Sequence, residues 1–146
     1  MNQELVKKLQ SNKLKNIFKD LRGMELIELL DMGKENVYGI KQFLFNMSQY
    51  SYARTACIKA NSDRKVSAWI IEELKFLKSS KEIIAAIDNC YMWLCKVKII
   101  DINQGLEELW ELGDICFFEP QNEVGVYIGI DENDLFITTK VKNETP

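Results

Sequence analysis

The chain contains no histidine among its 146 residues. That excludes the one side chain whose ordinary pKa lies near neutrality, and with it every Cys–His or Ser–His mechanism in its usual form. Only two prolines and seven glycines are present, so collagen-like and low-complexity classes are excluded. No run approaches the roughly 18 apolar residues of a membrane span. The first 25 residues are charged and amphipathic and lack the apolar stretch of a secretory signal, so the expected compartment is the cytoplasm.

Four cysteines are present, Cys57, Cys90, Cys95 and Cys116. In a cytosolic chain of this length, free buried thiols are the expectation. Their spacing does not match paired zinc ligands, and no metal site or cofactor is expected. No glycine-rich phosphate loop precedes a helix.

What the sequence does hold is a division of charge. Residues 1–100 carry 17 Lys and Arg against 11 Asp and Glu, a balance of +6; residues 101–146 carry 2 Lys against 11 acids, a balance of −9. If the two parts form different faces, the molecule has a basic and an acidic side.

Hydrophobic spacing divides the chain at the same place. Leu5, Val6, Leu9, Leu14, Ile17, Phe18 and Leu21 recur at helical steps. Met24–Asp31 reads as a short second helix, and residues from Glu35 to about Ala60 as a third. Asn61 or Ser62 caps a fourth, with Val66, Trp69, Ile70, Leu74 and Leu77 on one face. Ile83, Ile84, Ile87, Tyr91, Leu94 and Cys95 form the stripe of a fifth. Val97, Ile99 and Ile100 read either as its end or as a short strand. Leu106–Leu109 is one helical turn.

After it, Ile115–Phe118, Val124–Ile130 and Leu135–Val141 are apolar and β-branched, hence strands, with Asp131–Asp134 as a hairpin turn. The expected fold is one α+β domain over residues 1–146, with N-terminal helices (1–100) packed on a small C-terminal antiparallel meander (101–146).

The stretch from Gly113 to Gly129 is the most distinctive. It runs Gly113-Asp114, then Phe117-Phe118, then Val124-Gly125-Val126-Tyr127-Ile128-Gly129, preceded by Leu106-Glu-Glu-Leu109. This resembles the C-terminal strands of the NlpC/P60 (papain-like) cysteine peptidases. The resemblance implies a catalytic His just before the Val-Gly pair, and this chain has Glu123 there. It also implies a nucleophilic Cys opening a helix. The nearest shape here, Lys65-Val66-Ser67-Ala68-Trp69, has Val66 in that slot, and Cys57 is the other candidate.

With the base and the nucleophile string both missing, the resemblance implies a retained scaffold without the chemistry. The leading expectation is a non-catalytic inhibitor or immunity-type protein. It would bind a basic or nucleic-acid-handling protein through Glu111, Asp114, Glu119, Glu123, Asp131, Glu132 and Asp134. Two alternatives stand beside it. One is a divergent cysteine amidase or peptidase using Cys57. The other is a nucleic-acid-binding module using Lys7, Lys8, Lys13, Lys15 and Lys19 on the first helix. No membrane partner is expected.

Overall fold

The computed structural model describes residues 2–49, 54–60 and 63–142. The chain opens with helix α1 (Gln3–Lys19), capped by Asn2, whose side chain accepts from the Glu4 amide. Strand β1 (Met24–Asp31), helix α2 (Glu35–Gln49), strand β2 (Ala56–Lys59) and helix α3 (Val66–Glu73) follow. A short 3-10 turn at Lys75–Lys78 leads into β3 (Glu82–Ala86) and β4 (Trp93–Ile99). Helix α4 (Ile102–Leu112) then precedes β5 (Ile115–Glu119), β6 (Val124–Asp131) and β7 (Asp134–Val141).

The seven strands form one sheet in the order β1-β4-β3-β5-β6-β7-β2, with every neighbouring pair antiparallel. Helices cover both faces. Leu14 and Phe18 of α1, Trp69 and Ile70 of α3 and Leu106 and Leu109 of α4 pack on Ile83, Val97, Phe117, Val126 and Ile137 of the sheet. On the opposite face α2 alone supplies Val37, Leu44 and Met47, against Ile84, Leu94 and Phe118. The protein is therefore α+β, but its helices are interleaved with strands and are not gathered at the N-terminus.

Three sequence expectations are corrected here. Met24–Asp31 is the edge strand β1, paired with β4 through a register shift at Leu26/Glu28. Its Glu- and Leu-rich composition favours a helix locally, and pairing with β4 overrides that preference. Ile83–Cys95 is β3, a turn and the first residues of β4, and not one helix. β3 lies between β4 and β5 with Ile83 facing one helical layer and Ile84 the other, so both faces are buried. A strand buried on both faces shows a continuous apolar run that periodicity does not separate from a helix. The expected third helix ends at Gln49, and Cys57 falls in β2. The expected caps Asn61 and Ser62 lie outside the described residues.

The C-terminal strands form as the sequence indicates. β5, β6 and β7 are a meander, with Glu132 at φ 56° in the Asp131–Asp134 turn. Leu106–Leu109 is the middle of α4, capped by Asp101, whose carboxylate accepts from the Gln104 amide.

Candidate functional site

Helix α2 does not cover the whole of its face of the sheet. Its C-terminal half sits tightly on β6, because Gly125 presents no side chain. A Cβ there would lie 2.5 Å from both Met47 Sδ and Phe43 Cε1. Beyond the helix, the sheet, the β3–β4 connection and α2 enclose a cleft of about 290 Å³. Leu44 and Phe45 of α2, Ile87 and Leu94 form apolar walls.

Polar groups from four separate parts of the chain converge in that cleft. Tyr127 on β6 donates its hydroxyl to Asp114 Oδ2 at 2.8 Å. Asp88 arrives from the end of β3, on a turn that places Asn89 at φ 67°. Lys41 of α2 stands in the lining as well. The chain enters β5 through Gly113 at φ 139°, a conformation that suits glycine, where a Cβ would lie 2.9 Å from Asp88 Oδ2. Pairing of Ala86 with Cys116 brings these loops together.

The cleft holds Tyr127 and Cys116 in their protonated forms at neutral pH. Burial raises the Tyr127 phenol, and the Asp114 hydrogen bond raises it further. Burial also pushes the Cys116 thiol up to about 12, helped by the charges of Asp88 and Asp114. Cys116 is accordingly a thiol at neutral pH and not a nucleophilic thiolate. Cys95 is likewise pushed up to about 12 by burial, and Cys90 is raised for the same reason.

The expected acidic surface proves to be several different things. Glu119 is completely buried. Its carboxylate accepts from the amides of Gln121 and Asn122 and from Asn122 Nδ2, so it holds the β5–β6 turn and presents nothing to a partner. Asp131 pairs with Arg54, just before β2, and Asp134 with Lys59 on β2, which runs beside β7. Glu123 is exposed at φ 53° in the β5–β6 turn, and its carbonyl accepts from the Lys142 amide. Glu111 and Glu132 are exposed. Glu107 and Glu108 accept from the Ser67 amide and from the Arg22 and Gly23 amides, fastening α4 to its neighbours.

The candidate catalytic residue Cys57 is exposed on β2, and not buried within a helix. It opposes Phe136, which opposes Gly129. Glu123, in the turn just before β6, lies six residues from Gly129, roughly 20 Å at the ordinary strand rise. Cys57 and Glu123 are thus not brought together. Val66 opens α3 on the far face of the sheet from α2.

On α1, Lys7 pairs with Asp31 and lies 5.2 Å over the Trp93 ring, while Lys8, Lys13, Lys15 and Lys19 are exposed. Among the described residues, no group of three Cys, Asp or Glu side chains is arranged to hold a metal ion. No helix among them is long and apolar enough to cross a membrane.

Sequence reasoning found Asp114 and quoted Tyr127, but missed Asp88, Lys41 and Cys116 as their companions. The one local signal was Asp88-Asn89 after an apolar run, a pair that favours a turn. Comparison with family models, with curated proteins and with solved structures finds no match for this chain.

Proposed function

We propose that this chain is a non-catalytic binding protein of the inhibitor or immunity kind, and that it engages a basic protein partner through its acidic side. The observation that carries this reading is the pairing pattern of the carboxylates. Asp31, Asp131 and Asp134 each meet a lysine or arginine of the chain itself. Among the described residues Asp88 and Asp114 have no such nitrogen within ion-pair distance.

These two carboxylates lie where α4 ends, and the last turn of α4 holds no basic residue. The carbonyl end of a helix adds partial negative charge there, and Glu111 adds a full one. Negative potential therefore concentrates at one end of the sheet, where it would steer a positively charged partner.

The non-catalytic part of the reading rests on chemistry. The chain has no imidazole, its cleft thiol Cys116 stays protonated, and Cys57 stands far from Glu123. The resemblance of residues 113–129 to NlpC/P60 strands fits this reading as a scaffold that has kept its hairpin and lost its catalytic groups.

The test is affinity capture by the immobilised chain from its source cells, at low and high salt, beside a variant carrying Glu111→Lys and Asp114→Lys. A basic protein retained at low salt and lost from the variant is expected. Absence of any retained protein, or equal retention by the variant, overturns the reading.

A second reading is favoured by one observation. Lys8, Lys15 and Lys19 are exposed and share one face of α1. Binding of nucleic acid along that face predicts retardation of DNA or RNA that fades steeply with salt. No retardation at low salt dismisses it.

A further inference from the structure

We infer that the cleft between α2 and the β3–β4 turn receives a single alkyl cation, the guanidinium or ammonium end of an arginine or lysine side chain presented by the partner. The inference rests on the binding-protein reading and names the point at which the partner is held.

Size, wall and charge each narrow the occupant. A volume of about 290 Å³ lies at the small end of ligand sites, which favours one side chain over a nucleotide or a folded element. The walls of Leu44, Ile87 and Leu94 suit the aliphatic stem that lysine and arginine carry behind their charge. Tyr91, 64% exposed at the rim, offers an aromatic face to a cation.

The lining carries two carboxylates, Asp88 and Asp114, against one ammonium, Lys41, which leaves it net negative. Tyr127 donates to Asp114 Oδ2 and fixes that carboxylate, leaving Oδ1 for a guest. Asp88 lies close by, since its Oδ2 stands 2.9 Å from where a Cβ of Gly113, the residue before Asp114, would be. A guanidinium matches this arrangement because its planar fork donates to two oxygens at once. A phosphate or carboxylate would face two like charges.

Lys41 also lines a neighbouring cleft of about 570 Å³, which contains Asp31 and Tyr38. A cation entering between Asp88 and Asp114 would displace the Lys41 ammonium toward that side.

The test is titration of the isotopically labelled chain with ethylguanidinium chloride, n-butylammonium chloride and uncharged ethylurea, followed by amide NMR. Saturable shifts at Asp88, Asn89, Tyr91, Asp114, Cys116 and Tyr127 with the cations, and none with ethylurea, are expected. The Asp88→Asn, Asp114→Asn double variant should bind the cations about tenfold more weakly or worse.

Equal response to ethylurea overturns the inference, and so do shifts confined to Asp131 and Asp134. Both outcomes are read on the wild-type chain, so they hold even if the double variant does not fold. Partner capture separates this inference from the reading beneath it. A partner still captured by the folded double variant sinks the cleft and spares the binding function. Cation binding in the cleft with no captured partner sinks the binding function and supports the cleft.

Discussion

Gly23 and Gly105 meet backbone to backbone. A methyl group placed on Gly23 would stand 2.1 Å from the Gly105 nitrogen and 2.7 Å from the Asp101 carbonyl oxygen. The Gly23 carbonyl accepts from the amides of Ile100 and Asp101, and its own amide donates to Glu108. The start of β1 is thereby locked to the start of α4, which in turn sets where α4 ends and where Asp114 enters the cleft.

Gly23→Ala should therefore lower stability by roughly 3 kcal/mol, since the obstacle is backbone and has no rotamer to change. Gly105→Ala should cost less, about 1–2 kcal/mol. The atoms nearest its Cβ belong to the Met24 side chain, which can shift where the backbone opposite Gly23 cannot, and alanine recovers helix propensity. Gly39→Ala, with nothing within 4 Å on helix α2, should raise stability by about 0.5–1 kcal/mol. Urea midpoints of the three variants check the order, and a Gly23→Ala chain as stable as Gly105→Ala would refute the close contact.

Glu119 gives a second prediction. Glu119→Ala strips three hydrogen bonds from the β5–β6 turn and leaves two turn amides without their acceptor. A loss of about 2–3 kcal/mol is expected, with Glu119→Gln losing less because its amide oxygen still accepts. Denaturant unfolding measures both. If partner capture is found, the folded Glu119→Gln chain should retain it, because the carboxylate is buried and faces no partner.

How far the sequence could be read follows from where each signal lies. The meander was legible because its information is local: Ile115–Phe118 and Val124–Ile130 are β-branched and apolar, and Asp131–Asp134 is a turn by composition. The strands β1, β2 and β3 were not, and β4 was legible only as either helix or strand at Val97–Ile100, because their state depends on distant partners. Met24–Asp31 is helix-prone until β4 pairs with it. The charge division was real in sequence and softer in space, because Arg54, just before β2, and Lys59 on β2 meet Asp131 and Asp134. The cleft shows the same limit. Asp88 and Asp114 are 26 positions apart in number, and only the β3–β5 pairing of Ala86 with Cys116 brings them together.

The thiols give a third prediction. Cys90, Cys95 and Cys116 are raised by burial, while Cys57 is exposed on its edge strand. A chromogenic disulfide reagent at neutral pH should react rapidly with Cys57 alone in the folded chain, and with all four cysteines after unfolding. Cys57→Ser should abolish the fast phase. Rapid reaction at Cys116 would contradict its protonated state.

The same groups fix the alkaline limb of stability. A thiol raised from 9.0 to about 12 binds its proton more tightly in the folded chain. Its contribution is fully present below pH 9 and is lost as pH rises toward 12. The raised Tyr127 phenol acts in the same direction from its ordinary value of 10.0 upward. Denaturant midpoints should fall steadily across this window, and more gently in Cys116→Ser.

Asp31 governs the opposite limb. The Lys7 hydrogen bond, joined by the Gly33 amide, holds its carboxyl below the ordinary 3.8. A depressed pKa means that the unfolded chain binds the proton first, so the contribution is present above pH 3.8 and is lost as pH falls below it. Asp31→Asn should flatten stability in that acid window and cost less than about 1 kcal/mol at neutral pH, the usual scale of a partly exposed ion pair. The reporter is built in. Lys7 lies over the Trp93 ring, and the indole N–H donates to the Lys7 carbonyl at 2.9 Å. Release of Lys7 from Asp31 should alter Trp93 emission in the wild type as pH falls below 3.8, at temperatures where the fold persists. An emission profile identical in Asp31→Asn would show that Lys7 is not held by Asp31. It would also restore Lys7 to the free cations of α1, so the same measurement bears on how much positive charge that helix can offer a phosphate backbone.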